Sequence, residues 1–113
     1  MKIKKMCRIF TVGENKKIRI KHVGNIKLDS NEQLTFLFKE SQFDFVKKNW
    51  GFYATPSINY RLKKQGFVSA LMKNKFQKLY LVVVHKSKIS QFRKYLKIHN
   101  QKIIKWLHNY KHL

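Results

Sequence analysis

Tyr53, Asn59, Tyr60, Arg61, Lys63 and Lys64 lie within twelve consecutive residues, and together they carry the group types with which a protein grips a nucleic acid. Tyrosine rings stack on unpaired bases, an asparagine amide bonds to a base edge or a phosphate, and a guanidinium forks onto phosphate oxygens. Lys73, Lys75 and Lys78 would carry the positive surface onward from that stretch. Lysines position a phosphate backbone without reading its sequence, so a phosphate contact is the firmer expectation and base recognition the weaker. RNA or single-stranded nucleic acid is favoured over duplex DNA, because aromatic and basic residues interleave and neither a helix-turn-helix nor a zinc-finger signature is present. The competing structural role of Trp50, Phe52, Tyr53 and Tyr60 is to pack the protein.

Other chemistry finds less support. A helix start at Thr55-Pro56-Ser57-Ile58 could receive a phosphate on its free N–H groups with help from Arg61 or Lys63, yet no glycine-rich phosphate loop or dinucleotide fingerprint accompanies it. His85 could act as a general base toward Ser57 or Tyr60, with Arg61 on the developing charge and Asp44 nearby. That set has no nucleophile elbow, so no catalytic residue is nominated. His108 and His112 are four residues apart, but the glutamate of a zinc-protease helix is absent and His22 and His99 do not complete a ligand set. No metal and no cofactor is expected. Cys7 is the sole cysteine, which rules out an internal disulfide and a thiolate-rich zinc site; it reads as a small packed side chain or an inert thiol.

The charge balance points the same way. Twenty-six Lys and Arg face five Asp and Glu, for a formal net charge of +21. All five acids (Glu14, Asp29, Glu32, Glu40 and Asp44) lie in the first 44 residues, and from Phe45 onward there are sixteen Lys or Arg and no acid. An AT-rich coding bias would enrich lysine, but it would enrich glutamate too. Such a surface attracts polyanions, which leaves a ribonucleoprotein component or a small viral or phage binder as natural settings. The alternative partner is an acidic protein, docked through the basic face with Trp50 or Trp106 as an apolar anchor. A small enzyme acting on a nucleic-acid or phosphorylated substrate ranks third.

No apolar leader follows Lys2, Lys4 and Lys5, and the longest apolar run, Leu81 to Val84, is too short to span a bilayer. The basic, amphipathic Lys88–Lys97 stretch suits packing as well as a membrane surface. A cytoplasmic protein without stable membrane insertion is therefore expected.

These residues need elements to hold them. Met6 to Val12 and Lys16 to Lys21 read as strands, with turns at Gly13–Asn15 and at Gly24-Asn25 before Ile26 and Leu28. Ser30 with Gln33 fits a capping box for a helix from about Asn31, with Leu34, Leu37 and Phe38 inward. A second short helix would place Phe43, Val46 and Trp50 on one side and pair Asp44 with Lys48. Thr55, Pro56 and Gly66 cap, open and close a helix from about Pro56 to Gln65, with Ile58 and Leu62 inward. Phe67–Met72 and Phe76–His85 read as an antiparallel hairpin whose second strand is central. Ser87 caps a helix bearing Ile89, Phe92 and Leu96. Beyond His99 an edge strand from Lys102 to Leu107 is slightly preferred to a continued helix through Ile103, Leu107 and Tyr110. The expectation is one α+β domain spanning 1–113, an antiparallel sheet packed by helices.

Overall fold

The computed structural model describes residues 1–109. Among these residues strands make up 54% and helix 18%, so they are mostly β. Their strands are antiparallel as expected, but form three sheets and not one among the described residues.

The first sheet is a two-stranded ribbon of β1 (Lys2–Val12) and β2 (Ile18–Lys27). Gly13, at φ 84°, and a single 3-10 turn at Glu14–Lys16 reverse the chain. The Gly24-Asn25 turn is not formed. Gly24 sits inside β2 opposite Lys5, where a Cβ would come within 2.8 Å of the Lys4 carbonyl oxygen. Glycine here admits a close backbone approach, so the ribbon runs on to Lys27.

The second sheet is a meander of β3 (Gln33–Phe38), β4 (Ser41–Lys48) and β5 (Gly51–Thr55). Both helices expected across this stretch are strands. Leu34, Phe36 and Phe38 alternate along β3 and Phe43 and Phe45 along β4, and the register pairs Phe36 with Phe43 and Leu34 with Phe45. Aromatic alternation of period two, with Lys39 taking φ 54° at the turn, outweighs the coincidental three-and-four spacings. Asp44 and Lys48 therefore do not form a helix-surface pair. The Ser30 capping box is replaced by a turn in which the Asp29 N–H donates to Glu32 Oε1 at 2.6 Å and the Asn31 N–H to the Lys47 carbonyl at 2.8 Å.

The third sheet places β6 (Phe67–Lys73) between β7 (Leu79–His85) and β8 (Lys102–Trp106). β8 occupies the edge, as expected. The central strand is β6, not the more apolar β7: Val68, Ala70, Met72 and Phe67 are buried, whereas Leu79, Tyr80 and Leu81 at the start of β7 are exposed. The expected helix 56–65 shrinks to α1 (Arg61–Lys64), because Thr55 pairs with Asp44 as the last residue of β5 and residues preceding proline favour extended backbone. Gly66, at φ 89°, does close α1 in the left-handed region. α2 (Ile89–Ile98) follows a 3-10 turn at Lys86–Lys88, so that Lys88 and not Ser87 precedes its first residue. Tyr110 and His112 lie outside the described residues.

The core is small and most of it lies around β6, with Leu28, between β2 and β3, buried as well. Leu62 from α1 and Val84 from β7 join the four β6 side chains. Phe67 also meets Phe38 and Phe43 at ring-centroid distances of 6.2 and 6.5 Å, which ties the second sheet to the third.

Candidate nucleic-acid interface

The β5–α1 stretch presents aromatic rings outward. Trp50 is 71% and Tyr53 45% exposed, and their rings stack on each other at 6.3 Å with an interplanar angle of 22°. Tyr60 is 60% exposed; one helical turn on, Lys64 Nζ donates to its hydroxyl at 3.0 Å and stands 4.3 Å from its ring centroid. A stacking surface thus has an ammonium beside it. Asn59 sits half-buried in the turn before α1, Arg61 is exposed and Lys63 half-buried.

Ser57 serves the first turn of α1. Ser57 Oγ accepts from the Arg61 N–H at 3.1 Å, and the Ser57 carbonyl accepts from the Leu62 N–H at 2.9 Å and the Tyr60 N–H at 3.3 Å. Three donors at the start of α1 are thus met within the chain, and Thr55 is the last residue of β5.

Lys73, Lys75 and Lys78 are not in the same place. They surround the β6–β7 turn, at the far end of β6 from α1, a strand length of about 20 Å away. Asn74 Oδ1 orders that turn by accepting from the Phe76 and Lys78 N–H groups, each at 3.0 Å. Lys75 Nζ is 2.6 Å from Glu14 Oε1, so its charge is already met. Phe76, 68% exposed, is a ring the sequence reading passed over. A cavity of about 510 Å³ opens beside it, lined among others by Lys16, Lys75, Phe76, Tyr80 and His99. The nominated residues therefore form two clusters, one at each end of β6.

A third cationic surface lies on the ribbon and was not nominated. The register places Val12 with Ile18, Phe10 with Ile20 and Ile3 with Ile26 on one face, and Thr11 with Arg19, Ile9 with Lys21, Lys4 with Asn25 and Lys2 with Lys27 on the other. The first face also carries Arg8 opposite His22 and Lys5 opposite Gly24 between its apolar ends, so the cations concentrate on the second face without being confined to it. The signal was present as alternation in β2, where Ile18, Ile20 and Ile26 share a parity opposite to Arg19, Lys21 and Lys27.

The hydrolase-like constellation does not assemble. His85 Nε2 is 3.1 Å from Ser41 Oγ, while its Nδ1 is 2.7 Å from Ser87 Oγ and 3.3 Å from the Ser87 backbone nitrogen, so both ring nitrogens are engaged by serines other than Ser57. Ser57 is engaged with α1 and Asp44 lies in β4. Among the described residues there is no group of three or more His, Cys, Asp or Glu placed to hold a metal ion.

Five carboxylates cannot neutralise 26 cations, and three of the five are already in ion pairs. Glu14 meets Lys75, while Asp29 and Glu32 lie 3.7 and 3.3 Å from the amino-terminal nitrogen. The Asp29 N–H, then the terminal ammonium, hold the Glu32 carboxyl below its ordinary range. Among the described residues no helix is long and apolar enough to cross a membrane. No protein-family profile, curated protein or solved structure matches the chain.

Proposed function

We propose that the chain is a non-catalytic nucleic-acid-binding protein that holds RNA or another single strand through phosphate attraction and limited aromatic stacking. The observation that carries this reading is the outward placement of Tyr53, stacked on Trp50, and of Tyr60, with Lys64 Nζ 4.3 Å from its ring. Rings that pack a core are buried; rings left in water beside ammonium groups suit unpaired bases, each stack contributing about 1–3 kcal/mol. The β6–β7 turn and the cationic ribbon face extend the phosphate-attracting surface, with Lys73 and Lys78 contributing more than the paired Lys75. We read the architecture as a single α+β domain working in the cytoplasm.

The test is equilibrium binding of labelled single-stranded RNA, single-stranded DNA, duplex DNA and polyglutamate across a salt series. The expected result is preference for the single strands, affinity falling with salt, and a loss of about tenfold for Tyr53→Ala with Tyr60→Ala in a variant whose melting temperature is unchanged. Equal, weak binding to every polymer would sink the reading. A second reading, docking on an acidic protein, is favoured by Trp50, the anchor type common at protein interfaces and 71% exposed. Tight binding of polyglutamate lost on Trp50→Ala would move it to first place.

A further inference from the structure

The cavity beside Phe76 is walled by parts of the chain that lie far apart in sequence. One wall is the third sheet, where Met72 and Tyr80 are opposite each other in the β6–β7 register. A second is the C-terminal part of α2, with Tyr95 and His99, whose ring centroids are 4.7 Å apart. The third is the tip of the ribbon, from Val12 to Lys16. The Glu14 N–H donates to His99 Nδ1 at 3.0 Å, and Glu14 Oε1 meets Lys75 Nζ at 2.6 Å. Gly13 allows the close seating: a Cβ on it would come within 2.8 Å of His99 Nδ1. The tip is thus held against α2 and the β6–β7 turn by the chain's own contacts. The space of about 510 Å³ that it encloses with them falls within the roughly 300–1,000 Å³ of small-molecule sites.

The lining has a definite chemistry. Phe76, Tyr80 and Tyr95 offer aromatic rings, and His99 and Gln101 offer an imidazole and an amide. His99 is 8% exposed and accepts at Nδ1, so its neutral ring carries the proton on Nε2 as a donor. Gln101 Oε1 is shielded from water and has no hydrogen-bond partner, a costly state that a ligand N–H drawing the amide round would relieve. Rings beside hydrogen-bonding groups suit a flat ligand with apolar faces and polar edges, which is the make-up of a nucleobase. A plain hydrocarbon would leave the amide unanswered. Lys16 and Lys75, both exposed, add ammonium groups to the same lining. Its carboxylate, Glu14, is held by Lys75, and Lys16 forms no ion pair among the described residues. An anionic group on the ligand is therefore matched as well.

We propose that this cavity is a mononucleotide site, with the base among Phe76, Tyr80 and Tyr95, its edge toward His99 and Gln101, and its phosphate at Lys16. The unit is either a free nucleotide or the terminal nucleotide of a strand, and for the second source the proposal rests on the nucleic-acid reading above. Lys73 and Lys78 flank the same turn and would meet the further phosphates of such a strand. Tyr53 and Tyr60 lie at the other end of β6, so the two surfaces can be altered separately.

The measurement is isothermal titration calorimetry of the full chain with each of the four ribonucleoside monophosphates, the unphosphorylated nucleosides and ribose phosphate. The expected result is saturable one-to-one binding of at least one monophosphate, about tenfold tighter than its nucleoside and than ribose phosphate. Phe76→Ala should weaken it about tenfold by removing a stack. Lys16→Gln should weaken the monophosphate and leave the nucleoside unchanged. Phe76 is 68% exposed and Lys16 exposed, so neither change removes core packing, and melting temperatures report folding. Tyr53→Ala with Tyr60→Ala should leave mononucleotide binding intact. A short oligonucleotide with a terminal phosphate that competes with the monophosphate and binds more tightly assigns the site to strand ends; one that binds more weakly assigns it to free nucleotides. No saturable binding of any monophosphate overturns the proposal, as does ribose phosphate binding equally well or affinity that both variants leave unchanged. Strand binding without mononucleotide binding would remove the cavity site and leave the Tyr53–Tyr60 surface standing; the reverse result would do the opposite.

Discussion

Glu14 decides how much of Lys75 is available to a ligand. The carboxylate lies 2.6 Å from the ammonium, and its residue is anchored independently by its backbone N–H, which donates to His99 Nδ1 at 3.0 Å. Removing the side-chain charge should therefore free Lys75 without unfolding the turn. Glu14→Gln is expected to tighten single-strand binding by a few-fold and steepen its salt slope by up to about 0.7, one phosphate contact, in a binding titration. Glu32 works in the opposite sense, on stability. Its folded-state pKa is lowered by the Asp29 N–H and the terminal ammonium, so its contribution is present above the unfolded carboxylate pKa and is lost as pH falls through the folded value. Thermal melts across the acid range should show a steeper loss for the wild type than for Glu32→Gln; parallel curves would show that the contact does not contribute.

At the level of elements, the strands around β6 and the helix α2 were legible because their signals were unambiguous. Phe67–Lys73, the Val82–Val84 run and the Ile89, Phe92, Leu96 stripe each fit one period. The stretch from Asn31 to Trp50 fitted two: Leu34, Leu37 and Phe38 satisfied a helical stripe while Phe36, Phe38, Phe43 and Phe45 satisfied alternation. Cross-strand pairing chose between them, and pairing is a tertiary contact. α1 shows the same dependence at smaller size. A four-residue helix has no stability of its own, so it persists because Leu62 is fully buried against the start of β6. Leu62→Ala should cost about 2–5 kcal/mol in a denaturant titration. It should also weaken nucleic-acid binding by displacing Tyr60, Arg61 and Lys64 together.

Over the whole molecule, charge and apolar exposure act against each other. A net +21 with few carboxylates repels itself in the compact state, and a core of few buried side chains has little reserve against that repulsion. The melting temperature should therefore rise between about 0.1 M and about 1 M sodium chloride, as the screening length falls from about 10 Å to about 3 Å, while single-strand affinity falls over the same range. A melting temperature indifferent to salt would mean that self-repulsion is not limiting.

The sequence by itself determined the quantities that do not depend on where residues meet: the charge surplus, the absence of any cysteine pair or recognisable catalytic motif, the antiparallel character and the alternation of β1 and β2. Only the tertiary structure decided that the nominated cations divide between the two ends of β6, that Ser57 accepts from the first turn of α1, that Glu14 holds Lys75, and that Tyr53 and Tyr60 face outward. Composition and period are local sums over the chain. Which charge is met and which strand is central depend on residues far apart in the chain, as Glu14 and Lys75 or β6 and β8 are, and their pairing leaves no trace in local spacing.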